Sequence, residues 1–212
     1  VKKNFKKILM IFLLAEIFCL SLGAENLTMQ KVSAELSRHK VSRGNFVQTK
    51  KISSIGRTLK SSGKFVFCSD GIVWKTQRPF PSTLALGGGV MIQISADGKK
   101  SVTDMGANET FKNISASLQA VFSGDMNSLE ENFEIFFAEK SGGVWNAKLL
   151  PKDKNFSAAV SEIFIEGIFS SAECVMNSVS VEEKSGDRIL YEFSETQYAQ
   201  ELSADEKSIF AR

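Results

Sequence analysis

Histidine is almost missing from this chain of 212 residues: His39 is the only one, set between Arg38 and Lys40 in a polar run. No second imidazole is present to complete a metal site, and the three cysteines, Cys19, Cys68 and Cys174, include no pair at CxxC spacing. Serine is common, yet no GxSxG elbow occurs, and Gly87-Gly88-Gly89 lacks the following helix and lysine of a phosphate loop. No catalytic residue, metal or cofactor is therefore nominated. Tyrosine and tryptophan number two each and proline three, whereas phenylalanine reaches 17. The aromatic content is thus almost wholly the kind that offers apolar area without a polar handle.

Long hydrophobic runs are absent beyond the first residues. Lys2, Lys3, Lys6 and Lys7 form a basic head, Ile8 to Leu22 an apolar segment interrupted by Glu16, and Ser21, Gly23 and Ala24 a small-residue end. This is the pattern of a secretory signal peptide over residues 1–24, cleaved near Gly23 or Ala24. The segment is shorter than the roughly 20 apolar residues of a spanning helix. Val1 ahead of such a leader fits a non-AUG bacterial start. Without residues 1–24 the chain carries 22 basic and 23 acidic residues, a net charge of −1. No run of basic residues interleaved with aromatics suggests nucleic acid. Cys68 and Cys174 remain as an even pair in an oxidising compartment, either bridged or as two buried thiols.

Residues 25–212 read as one domain. From Gly44 to Ile94 the chain gives four or five short strands joined by Gly, Ser and Pro turns, with a large apolar residue at every second position: Phe65 and Phe67, Ile72 and Trp74, Leu84 and Leu86, Ile92 and Ile94. Strands resume at Asn132, with Phe133, Ile135 and Phe137, then Trp145, Ala147 and Leu149, Ile163 and Ile165, Val175, Val179 and Val181, and finally Ile189, Tyr191 and Phe193. Turn chemistry such as Ser185-Gly186-Asp187 separates them as in an antiparallel meander. Helical periodicity is confined to Asn26–Lys40, capped by Thr28 and striped by Met29, Val32 and Leu36; to Asn108–Phe122; to Met126–Glu131; and to a closing helix with a Ser203/Glu206 capping box. Two of these interrupt the strands and are expected to lie across the sheet as a lid.

An exported chain that opens on an amphipathic helix and continues GNFVQTK, SSGKFVF, IVWKTQRPFPSTLAL, a helical pair ending GDMNSLEENFEI, then GVWNAKLLPKD, IFIEG and SGDRILYEF resembles the LolA family of outer-membrane lipoprotein carriers. More narrowly it is similar to the LolA-like branch in which a Pro-Phe-x-Ser turn follows the tryptophan strand. The resemblance implies a mainly β, α+β fold: an unclosed antiparallel barrel of about ten or eleven strands around a hydrophobic cavity lidded by helices. It also implies a monomeric periplasmic chaperone, not an enzyme. Such a chaperone takes acylated lipoprotein or a related lipid from an inner-membrane donor to an outer-membrane acceptor. Family members carry an Arg-Pro pair shortly before the tryptophan; this chain reads Cys68-Ser69-Asp70-Gly71 there, with Arg78-Pro79 after Trp74 instead, so the lid role of that arginine is not carried across.

Acyl chains gain about 0.8 kcal/mol per CH₂ removed from water, so an apolar cleft can hold them without any reactive group. The concave-face residues expected to bind cargo are Phe65, Phe67, Trp74, Leu84, Leu86, Phe133, Ile135, Trp145, Leu149, Ile163 and Ile165. The helices are expected to add Leu36, Phe111, Ile114 and Leu118 as a lid. The alternative is a non-enzymatic envelope adaptor that binds a membrane transporter or assembly partner and fills its interior with its own side chains.

Overall fold

The computed structural model describes residues 27–104, 119–170 and 173–210. Eleven strands form one antiparallel sheet: β1 (Val41–Ile52), β2 (Arg57–Cys68), β3 (Gly71–Arg78), β4 (Ser82–Gly87), β5 (Val90–Ser95), β6 (Lys100–Asp104), β7 (Phe133–Glu139), β8 (Val144–Pro151), β9 (Val160–Phe169), β10 (Cys174–Glu183) and β11 (Arg188–Ala199). Their order is β6-β5-β4-β3-β2-β1-β11-β10-β9-β8-β7. Two meanders are thus joined where the first strand pairs with the last, and the barrel stays open between β6 and β7.

Alternation along the strands builds this sheet, but it buries both faces. On the concave face Phe65 pairs with Trp74 and Phe67 with Ile72, while Val66 and Val73 pair on the convex face. The concave cluster gathers these aromatics with Phe46, Phe133, Trp145, Leu149, Ile163 and Ile165 under the helices. A second cluster, of Val41, Val66, Cys68, Val73, Ala85, Ile92 and Leu202, lies on the convex face and is joined by Ile94, Ile209 and Phe210. Ile92 and Ile94 therefore share the outer side, and Met91 and Gln93, which pair with Leu86 and Leu84, take the inner one. A bulge between Met176 and Ser178 makes a similar inversion in β10: Cys174 and Met176 join Val179 in the concave cluster, and Val175 does not. Because Cys68 and Cys174 belong to opposite faces, they stand as two free buried thiols.

Helix α1 (Met29–Leu36) is capped by the Thr28 hydroxyl, which accepts from the Lys31 N–H, and buries Met29, Val32, Ser33 and Leu36. It stops at Leu36, so that β1 begins at Val41, earlier than the glycine at 44. Gly44 instead lies inside the strand, where an added Cβ would come within 2.9 Å of the Phe65 ring. Helical residues 119–123 end at Gly124, whose φ of +66° suits glycine. Helix α2 (Met126–Asn132) follows, capped by Asp125, and buries Leu129. Helix α3 (Lys154–Ala159) fills the β8–β9 connection that the sequence pattern leaves as a strand end; Asp153 caps it and Phe156 packs on Phe133. The closing helix α4 (Ala204–Phe210) carries the reciprocal box, with Ser203 N–H donating to Glu206 and Glu206 N–H to Ser203. It covers the convex face, held by a 2.9 Å ion pair between Glu206 and Arg43 of β1.

Candidate functional site

The two halves of the concave face differ in what fills them. On the β7–β10 side, Phe133, Trp145, Leu149, Ile163 and Ile165 are all 0–1% exposed, pressed together beneath the helices. Gly167 permits this density: a Cβ there would run into the Trp145 ring and the Val175 carbonyl. Burial pushes the Cys174 thiol beside Trp145 up to about 12, with the Trp145 indole pulling the other way. Ile135 packs at the margin of this body. Interiors at this density leave no room for a guest.

On the β3–β5 side the wall stands clear of its neighbours. A cavity of about 320 Å³ lies there, lined by Trp74, Thr76, Ser82, Leu84, Leu86 and Gln93 on one side and by Gln48, Val179, Val181 and Tyr191 on the other. Its size is at the low end of the ~300–1,000 Å³ usual for small-molecule sites, and its mix of apolar wall and a few amide and hydroxyl groups is also typical. Of the expected cargo residues, Trp74, Leu84 and Leu86 line this cavity. Phe65 and Phe67 border a much smaller space of about 20 Å³ with Leu36, Met176 and Phe193. All eleven lie on the concave side by register. Of the expected lid residues, Leu36 is a buried part of α1, and Phe111, Ile114 and Leu118 lie outside the described residues.

Phe122 falls on the apolar face that helical periodicity marks over residues 108–122, but it is not among the expected lid residues. It borders three spaces at once: the 320 Å³ cavity, the small one beside Phe65, and an open groove of about 570 Å³ between α1, the β2–β3 turn and the start of α2. Its ring stacks on Phe67 at 3.7 Å between centroids and meets Trp74 at 5.6 Å and Phe193 at 5.7 Å. Polar bonds fix the segment that carries it. The Ser33 hydroxyl, buried in α1, donates to the Gly124 carbonyl, and the Gln119 amide donates to the Ser69 carbonyl at 2.9 Å. Phe122 is thus a plug, held by one helical turn, between the cavity and the outer groove. In the sequence it shows as the last apolar residue of that helical face, two positions before a helix-stopping glycine.

Both tyrosines report on this side of the molecule. Burial, with a smaller contribution from Glu183, pushes the Tyr191 phenol in the cavity wall up to about 12. Tyr198 stacks on His39 at 3.8 Å and donates to the Cys174 carbonyl at 2.8 Å, and burial raises its phenol as well. A folded-state value raised above the unfolded one keeps its stabilisation in full below about pH 10 and loses it as pH climbs through the folded value near 12. Ultraviolet titration of the native protein should therefore show almost no phenolate where free tyrosine is half ionised. Stability to urea should fall from about pH 10 upward.

An open antiparallel half-barrel, helices over its concave face and an apolar cavity left between them define a fold of the lipoprotein-carrier kind. Comparison with known sequences gives the family: the model for "Outer membrane lipoprotein carrier protein LolA" matches residues 37–209, and the chain belongs to the LolA family. No curated protein matches it. Similar solved structures include a DUF1329 family protein from Desulfovibrio piger, 13% identical, with 82% of this chain and 93% of that one covered at a TM-score of 0.47. A domain from Vibrio parahaemolyticus described as an outer membrane lipoprotein-sorting protein is 10% identical, covering 86% and 98% at 0.43. A LolA superfamily protein from Nitrosomonas europaea is 9% identical, covering 88% and 99% at 0.43.

Proposed function

We propose that this protein is a periplasmic carrier that holds an acyl chain of a lipoprotein or related lipid in the cavity beside Trp74, Leu84 and Leu86, and is not an enzyme. Residues 1–24 serve as its signal peptide, and residues 25–212 form the one domain that receives cargo at the inner membrane and yields it at the outer. The observation that carries this reading is the unfilled space on an otherwise close-packed concave face, bounded by aromatic and branched aliphatic side chains. Burying hydrocarbon there contributes about 0.8 kcal/mol per CH₂. The polar groups in the wall, Gln48, Thr76, Ser82 and Gln93, can hydrogen-bond an ester or amide carbonyl but are not bases at neutral pH. The Trp74 indole N–H, buried without an acceptor among the described residues, is a further donor for such a group.

Native mass spectrometry with a single-chain fatty acid, a diacyl phospholipid and a synthetic lipopeptide tests this. One lipid bound per monomer at micromolar concentration is the expected result. A protein that stays empty with all three probes would leave the adaptor role in its place.

A further inference from the structure

The end of the sheet that carries the β1–β2 hairpin is basic in a way that folding creates. From Leu36 to Ser69 the sequence holds eight Lys or Arg residues and not one Asp or Glu. Three of these cations are neutralised, Arg38 by Glu35, Arg43 by Glu206, and Lys50 by Glu183 and Asp187. On the hairpin and the neighbouring strand, Lys51, Arg57, Lys60, Lys64, Lys75 and Arg78 are exposed and form no ion pair with another described residue. Lys64 and Lys75 even stand directly opposite each other across β2 and β3. Like charges in that arrangement cost stability, so an anion from outside would relieve a strain that the fold leaves in place.

The same end exposes apolar side chains. Phe80, in the β3–β4 turn, is 82% exposed, Ile55 at the hairpin tip 62% and Leu59 53%. The pairing of β2 with β3 stops at Ser62 and Arg78, so the hairpin beyond it projects past the third strand. Beside it, the β3–β4 turn leaves the sheet at the same end. The cavity reaches toward this end too, since Thr76 and Ser82 of its lining pair with each other beside the β3–β4 turn.

We infer that this end of the half-barrel docks on an anionic phospholipid surface, with Phe80, Ile55 and Leu59 entering the headgroup layer and the unpaired cations meeting the phosphates. Aromatic and aliphatic tips flanked by Lys and Arg are the composition that seats a protein in a membrane interface. Each cation near an anionic leaflet adds about 1 kcal/mol. Separate protruding tips suit a deformable layer better than a protein partner, whose interface is a continuous matched surface of about 800 Å² per side. Docking here sets the cavity against the bilayer from which a chain would be drawn. It extends the carrier reading without depending on it, because the surface needs no cargo.

Vesicle flotation of the mature protein without cargo provides the test, with pure phosphatidylcholine compared with a phosphatidylcholine and phosphatidylglycerol mixture. Binding is expected only to the mixed vesicles, weakening as salt is raised. The pair Lys60→Glu and Lys64→Glu should lower it by about tenfold or more, as should Phe80→Ser with Ile55→Ser. These residues are exposed, so the melting temperature and the fatty-acid adduct in native mass spectrometry should stay as in the parent protein. Equal binding to both vesicle types, or no binding to either, overturns the inference. So does anionic-vesicle binding that the charge reversals leave intact. Binding to an acidic polypeptide but not to vesicles would show that these cations serve a protein partner.

Discussion

Replacing Trp145 with alanine is expected to destabilise the protein by about 3–5 kcal/mol, a large part of the ~5–15 kcal/mol by which a domain is stable. Trp145 is 0% exposed, spans the face of Gly167 and touches the part of the sheet where no space is left. The backbone around it cannot close over the void, because Ala147, Leu149 and Ile165 are themselves fixed in the same cluster. Urea denaturation measures the loss directly. Trp74→Ala should behave in the opposite manner. Trp74 already borders empty space, so its removal should cost less stability and reduce lipid retention more. Equal stability losses at the two positions would mean that the β3–β5 half is as solid as the other.

Phe122→Ala should merge the inner cavity with the groove beside α1. Truncating a buried phenylalanine costs about 3–5 kcal/mol, and here it also strips one ring from the aromatic packing around Phe67, Trp74 and Phe193. Unlike a core truncation, this one leaves a hole continuous with the cavity proposed for cargo, which a bound lipid would fill. Ligand that binds only the folded state stabilises it in proportion to the logarithm of its concentration over Kd. The rise in melting temperature on adding a diacyl lipid should therefore be larger for Phe122→Ala than for the parent protein. A smaller rise would mark Phe122 as ordinary core, not as a plug.

Much of this arrangement is legible in the sequence. Most strands are announced by alternating apolar residues, β6 with its lone Val102 being an exception, and two caps, Thr28 and the Ser203/Glu206 box, sit where helices begin. Alternation cannot say which face is which once both are apolar, and so Ile92 and Ile94 read like Leu84 and Leu86 although they point the other way. It also cannot register a bulge, which is how Val175 and Met176 exchange sides. Helix α3 was hidden because six residues give too little periodicity, and its one buried contact is Phe156. The division between solid core and open cavity lies deeper still. Phe133 and Leu84 have the same kind of neighbours along the chain, and only what packs against them from elsewhere fills one site and leaves the other empty. The basic end is partly legible in the acid-free run from Leu36 to Ser69, but Lys75 and Arg78 of β3 join it only when the strands pair.

The presence of just two tryptophans, one in each half of the concave face, allows the central claim to be tested by bromine quenching. A fatty acid brominated along its chain is titrated into two proteins: Trp145→Phe, which retains Trp74, and Trp74→Phe, which retains Trp145. The account predicts strong saturable quenching of Trp74 in the first and little or none of Trp145 in the second. Quenching of Trp145 with Trp74 unaffected, or of neither, would contradict it.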